Sequence, residues 1–177
     1  MIKLSPVAQK FILHWGEMGT RWGVNRTVAQ IHALLFISEK PLAAEDIADA
    51  LSVARSNVST SLKELQGWGI VKVVHALGDR RDHFESMKDP WEMFQVILHE
   101  RKRREIDPTL AILGECVMEA EKSGAVDAEL RKRLAAFKDF FETMNTCYEQ
   151  MRKLPTPALI KFVKAGAKVR KVLGLAG

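Results

Sequence analysis

The stretch from Ala43 to Leu65, built on AEDIADALSVARSNVSTSLKEL, constrains the fold more than any other. It reads as two short helices joined by the connection Leu51-Ser52-Val53. In the first, Ala43 to Ala50, Glu45 and Asp46 sit near the positive end of the helix dipole, and Ile47, Ala48 and Leu51 point to a core. In the second, Ala54 to Gln66, Val58, Leu62 and Leu65 share one face, while Arg55, Ser56, Asn57, Ser59, Thr60 and Lys63 project elsewhere. Gly67 and Gly69 stop it, since glycine takes a left-handed position at a helix end without side-chain strain. Small residues, a tight turn, and a second helix with one apolar and one hydrogen-bonding face are the requirements of a helix-turn-helix. An ordinary solvated helix favours Lys and Glu over Ser, Thr and Asn, so the polar face reads as a contact surface. Arg and Asn can read guanine and adenine edges, and Ser and Thr mostly hold phosphates. Double-stranded DNA is the expected partner.

A hairpin follows. Ile70-Val71-Lys72-Val73-Val74 is β-branched enough for a strand, Ala76-Leu77-Gly78-Asp79 suits a turn, and Arg81 to Glu85 suits the returning strand. Arg80 and Arg81 at the tip fit a narrow minor groove, whose negative potential attracts guanidinium groups. Asp79 and Asp82 stand where they could hold those groups. Taken alone this is a charged turn; beside the two helices it completes a winged helix-turn-helix. The expected fold class is therefore mainly α, with a small β-hairpin wing and a helical dimerisation region.

The flanks are helical. Val7, Phe11, His14, Trp15 and Met18 give residues 5–19 one face, with Gly16, Gly19 and Gly23 obscuring where that helix ends. Asn25 caps a second helix running to Ser38, with Val28, Ile31, Leu34 and Leu35 inward. Glu39-Lys40-Pro41 is a turn, and Leu42 could form a very short strand. Downstream, Trp91, Phe94, Leu98 and Arg101 share a face, and Asp107-Pro108 is expected to break or restart the helix. A segment from Thr109 ends at Ser123-Gly124. From Asp127 onward, Leu130, Leu134, Phe137, Phe141, Met144, Tyr148 and Met151 alternate in steps of 4 and 3, the seam of a coiled coil or bundle. That seam is expected to join two chains; the bland reading packs it on Phe11, Trp15 and Trp91 within one chain. Pro155 and Pro157 end it, leaving a basic amphipathic helix or a frayed tail. The expected organisation is 1–88 for the DNA-binding domain, 89–153 for the helical dimerisation region and 154–177 for a basic tail.

Composition excludes several function classes. At 47% hydrophobic and 28% charged, the chain is not wholesale disordered. No apolar run reaches the ~18 residues of a membrane span, and MIKLSPVAQKF lacks a secretory apolar core, so a cytoplasmic protein is expected. The net charge of +5 belongs to the tail: seven basic and no acidic residues follow Met151, which leaves −2 for residues 1–151. The tail is expected to be dispensable for fold and specificity; its rival role is attachment to a membrane surface. Cys116 and Cys147 are expected to stay reduced. His14, His32, His75, His83 and His99 show no metal-ligand spacing with them, and no phosphate loop or nucleophile elbow occurs. No metal, cofactor or enzymatic activity is expected. The four tryptophans (Trp15, Trp22, Trp68, Trp91) admit two readings, core and interface anchors or an aromatic cage for a quaternary ammonium.

The run from Glu39 to Phe84 resembles the MarR-type winged-helix regulators. Gly19–Phe36 (GTRWGVNRTVAQIHALLF), Ser56–Val71 (SNVSTSLKELQGWGIV), Gly78–Glu85 (GDRRDHFE) and Trp91–Leu110 (WEMFQVILHERKRREIDPTL) extend the resemblance to the GbsR branch, over residues 5 to about 150. The wing signature of that group, an Asp with an Arg two residues later, falls on Asp79 and Arg81. The resemblance implies a homodimeric transcription regulator, a repressor by expectation, whose wing arginine enters the minor groove, and leaves room for a small effector such as choline. Ala54 departs from it, standing where a capping Ser is common. The rival class is a winged-helix adaptor that binds protein, which would carry apolar residues in place of Arg55, Asn57, Ser59 and Thr60.

Overall fold

The computed structural model describes residues 2–75, 77–123 and 127–172, with side chains as far as Ala165, in two compact units, Met1–Val96 and Ile97–Gly177. Helix α1 (Pro6–Arg21) opens with the Ser5 hydroxyl accepting from the Ala8 N–H at 3.2 Å and with proline in the first turn, where a missing N–H costs nothing. Its buried residues are Ile12, Gly16 and Gly19, so the expected face is rotated: Val7 and His14 are exposed. Close packing is the reason. A Cβ on Gly19 would lie 2.5 Å from the Ala29 Cβ of helix α2 (Arg26–Ile37), so glycine lets the two helices meet. Asn25 caps α2, its Oδ1 accepting from the Thr27 N–H at 2.8 Å. Val28, Ala29, Ile31, His32, Ala33, Leu34 and Leu35 are all buried, as a helix at the centre of a core requires.

Strand β1 (Leu42–Ala43) leads into α3 (Ala44–Leu51) and α4 (Arg55–Gly67). Ile47 and Ala48 of α3 are buried, whereas Leu51 is only half-buried. Ser52 makes the turn between them in the left-handed region, φ 53° and ψ 44°. The α4 start carries no side-chain cap, as Ala54 dictates, and its core face is Val58, Ser61, Leu62 and Leu65. Gly67 remains helical; Gly69, at φ +76°, is the residue that turns the chain. Strands β2 (Val71–Val74) and β3 (His83–Ser86) pair antiparallel, and β1 adds to the far side of β3 in the order β1-β3-β2. Phe84 is buried between Leu42 and Val73, its partners on either side. The Lys88 ammonium, just past β3, donates to the Leu35, Phe36 and Ser38 carbonyls at 2.8, 3.1 and 2.6 Å. It satisfies acceptors that the end of α2 leaves free and places a cation at the negative pole of that helix.

Helix α5 (Pro90–Arg101) begins in the first unit and ends in the second. Its buried residue is Met93; Phe94, on the face shared by Trp91, Leu98 and Arg101, is 51% exposed. A π-helical turn, Lys102–Ile106, leads into α6 (Asp107–Lys122), so the α-helix restarts at Asp107-Pro108 as expected, with a helical turn where a break was the alternative. The wider turn absorbs the missing N–H of Pro108 and the clash of its ring with the carbonyl of Arg104, four residues back. Helices α7 (Ala128–Arg152) and α8 (Thr156–Val172) complete the second unit. Leu113, Ala120 and Leu159 are buried there, and Leu159 makes the first turn of α8 part of the packing, where a dispensable tail was expected. Lys102 holds Asp107 at 2.6 Å, reaches Glu149 at 3.7 Å and lies 5.5 Å from the Tyr148 ring centre. The Tyr148 hydroxyl is 2.8 Å from His99 Nδ1. No helix among the described residues is long and apolar enough to cross a membrane. Ala76, Gly124 and Leu173, which the sequence reading placed in turns and in the tail, lie outside the described residues.

Candidate nucleic-acid interface

Helix α4 separates its two faces cleanly. Arg55, Ser56, Asn57, Ser59, Thr60 and Lys63 are all exposed, opposite the buried Val58, Ser61, Leu62 and Leu65. The first five occupy its first turns, where side chains reach furthest beyond the helix end. Arg55 extends across to α3, where its Nη2 pairs with Glu45 Oε1.

The β2–β3 hairpin presents a second basic element. The Asp79 carboxylate accepts from the Arg81 backbone N–H at 3.0 Å, from Nε at 3.1 Å and from Nη2 at 2.7 Å. Those hydrogen bonds hold Asp79 well below the usual carboxylate range and push Arg81 up. The geometry is a bidentate fork that fixes the guanidinium plane. Arg81 Nη1 also lies 3.8 Å from Asp46 on α3. His83 closes the loop, with Nδ1 3.0 Å from the Arg81 carbonyl and Nε2 3.5 Å from Asp79. Asp82 holds no guanidinium among the described residues, contrary to expectation; it faces His75 at 3.7 Å. Arg80 is exposed and makes no ion pair among the described residues. Gly78 turns the tip at φ +84°, and Leu77 beside it is fully exposed. The sequence reading missed two participants here, Glu45 and Asp46. The two acids were legible only as helix-dipole partners, because their pairing with Arg55 and Arg81 joins elements that no helical spacing relates.

The tryptophans divide. Trp15 packs on Phe11 at 5.7 Å, edge-on to Trp22 at 5.7 Å, and 6.3 Å from His32, which in turn lies 6.3 Å from Phe36. Trp68 and Trp91 join no such ring pair among the described residues. The clustered rings touch one another, as core anchors do. His32 is 4% exposed, and its Nε2 has no hydrogen-bond partner among the described residues. Burial, with a smaller push from Lys88, lowers its pKa to about 4.

The seam of α7 is split. Leu130, Phe137 and Met144 are exposed, while Leu134, Phe141, Tyr148 and Met151 are half-buried, and Tyr148 is engaged with His99 of the same chain. Phe140, absent from the expected seam, is exposed beside Phe137, their rings parallel at 6.5 Å. Flanking charges pair along the helix itself, Arg133 with Glu129 and Lys138 with Glu142.

A helix-turn-helix whose second helix bares a polar face, followed by a hairpin that displays an arginine, defines the winged helix-turn-helix class. A model of the MarR family matches residues 22–82. The chain is 20% identical over 154 residues to the HTH-type transcriptional repressor GbsR of Bacillus subtilis (strain 168), covering 83% of this chain and 85% of that relative. It also superposes on a crystal structure of a transcriptional regulator with a TM-score of 0.65 and 18% identity, over 90% of this chain and 99% of the other. Residues 22–82 thus match the MarR family, in a chain similar over most of its length to GbsR and sharing its fold with a transcriptional regulator.

Proposed function

We propose that this protein is a DNA-binding transcription regulator and not an enzyme, working as a homodimer in the cytoplasm, with α4 in the major groove and Arg81 in the minor groove. The observation that carries the reading is the division of α4 into a buried apolar face and a fully exposed face of Arg55, Ser56, Asn57, Ser59, Thr60 and Lys63. A protein-binding adaptor would need apolar residues on that face. Modules at 1–88, 89–153 and 154–177 serve DNA binding, dimerisation and nonspecific attraction. Similarity to the repressor GbsR of Bacillus subtilis supports repression as the sign of regulation. The exposed Leu130, Phe137, Phe140 and Met144 support dimerisation through α7. A choline-like effector finds its support in Trp22, 47% exposed and edge-on to Trp15, because a cation is attracted to an aromatic face; tryptophan fluorescence on adding choline checks it.

The test is selection of duplexes from a random pool by the purified protein. Arg55→Ala and Asn57→Ala should each relax preference at a particular base pair, at about 1–3 kcal/mol. Arg81→Ala should weaken binding across sequences and lower the salt slope by about one. If all three variants bind the selected duplex like wild type, the assignment fails.

A further inference from the structure

We propose that Glu45 and Asp46, in the first turn of α3, compete with DNA for the two arginines that reach toward it, and so suppress binding to duplexes that lack the right bases. The proposal rests on the DNA-binding reading above. Acids in a first helical turn have a plain structural use, since they complement the helix dipole. Here each is also matched to an arginine on a different element: Glu45 to Arg55 of α4, and Asp46, at 3.8 Å, to Arg81 of the wing. Arg55 itself stands in the first turn of α4, where its charge opposes the helix dipole, and the carboxylate across the turn offsets that conflict. Both pairs are open to water, all four side chains being more than a third exposed, so an incoming group can replace the carboxylate at little cost. Asp79 differs. It grips Arg81 through three donors on the same hairpin and keeps the guanidinium oriented whether or not Asp46 lets go.

Discrimination follows from what each kind of DNA offers. A duplex without the right sequence offers phosphate charge alone. On it, each phosphate competes with a carboxylate for the guanidinium, charge against charge, and the protein meets the DNA with less effective positive charge. An operator offers Arg55 a guanine edge in the major groove, which a guanidinium can engage through two hydrogen bonds, and offers Arg81 a narrow minor groove of enhanced negative potential. Those contacts compensate for releasing the acids.

The experiment uses the full chain with Glu45→Gln, Asp46→Asn and, as a charge-matched control, Asp49→Asn. Asp49 is exposed on the same helix and pairs with no cation among the described residues. Binding of a labelled non-operator duplex and of a selected operator is titrated over a range of salt concentrations. Glu45→Gln and Asp46→Asn should each tighten non-operator binding about three- to tenfold and steepen its salt slope by up to about one. Operator binding should change less, so the specificity ratio falls, and Asp49→Asn should leave both nearly unchanged. Glu45→Gln should have no effect when Arg55 is already alanine. The proposal is overturned if both variants match Asp49→Asn, or if Glu45→Gln tightens binding equally without Arg55. Two separate substitutions guard against one that unfolds, which circular dichroism detects. A wild type that binds no duplex would overturn the DNA-binding reading, and this proposal with it.

Discussion

His32 keeps a titratable ring inside the most buried helix of the first unit, with one ring nitrogen unpartnered among the described residues. Its pKa is pushed from 6.5 down to about 4, by burial first and by the Lys88 charge second. The folded protein therefore prefers the neutral ring, while the unfolded chain protonates below 6.5. The resulting stability is fully present above pH 6.5 and drains away as pH falls toward 4, by roughly 3 kcal/mol in all at about 1.4 kcal/mol per unit. Carboxylates titrate near the lower end of the same range, so the informative quantity is a difference. Urea unfolding at pH 7.5 and 4.5 should show wild type losing more stability than His32→Leu. Equal losses would mean that the ring takes up its proton without strain.

Among the elements, α1 and α2 test how far packing depends on glycine. Gly19→Ala sets one Cβ 2.5 Å from another on a neighbouring helix, so α1 must shift, at about 1–3 kcal/mol. For Gly16→Ala the three atoms nearest the new Cβ all belong to the Gln30 side chain, the closest its Cγ at 2.7 Å, and a change of rotamer rather than a shift of backbone can relieve them. Alanine is the better helix former by about 0.5–1 kcal/mol, so that variant should be close to neutral. Thermal unfolding of the two should rank them in that order, and the reverse ranking would contradict the packing described. This pair also shows what a sequence hides. The core face of α4 and the β-branched strand Val71–Val74 were legible because apolar periodicity announces them. The α1 face was misread because glycines carry no apolar signal, although they form the contact. The π-turn was missed because Asp107-Pro108 marks where an α-helix restarts but carries no sign of how the chain reaches it. In the candidate site, the exposed residues of α4 could be named in advance from helical spacing, and the Asp79–Arg81 pair from the resemblance to the MarR-type wing, where the residues alone left Asp79 and Asp82 both open. The Glu45–Arg55 pair, ten residues apart across a turn, could not.

For the whole molecule, the exposed apolar side chains of α7 make association the decisive property. Substituting both Phe137 and Phe140 by Lys places two charges where rings now face solvent, and leaves the half-buried Phe141 and Tyr148 alone. Light scattering should give wild type about twice the chain mass of 19.9 kDa and the double variant a single chain mass. A wild-type monomer at micromolar concentration, or a variant that stays dimeric, refutes the α7 interface. A two-fold dimer further requires a near-palindromic operator with half-sites about 10 bp apart or a multiple of that.

The turn that aims α4 has a chemical consequence of its own. Ser52 holds φ 53° and ψ 44°, dihedrals that strain an L-residue by roughly 1–2 kcal/mol and are the relaxed helical well for its mirror image. A protein assembled by peptide ligation with D-alanine at position 52 should keep the same backbone path and melt higher than the all-L chain. The turn between the two helices would then be favoured by the handedness of its own residue, and the apolar faces that pack α3 and α4 would no longer have to offset its strain.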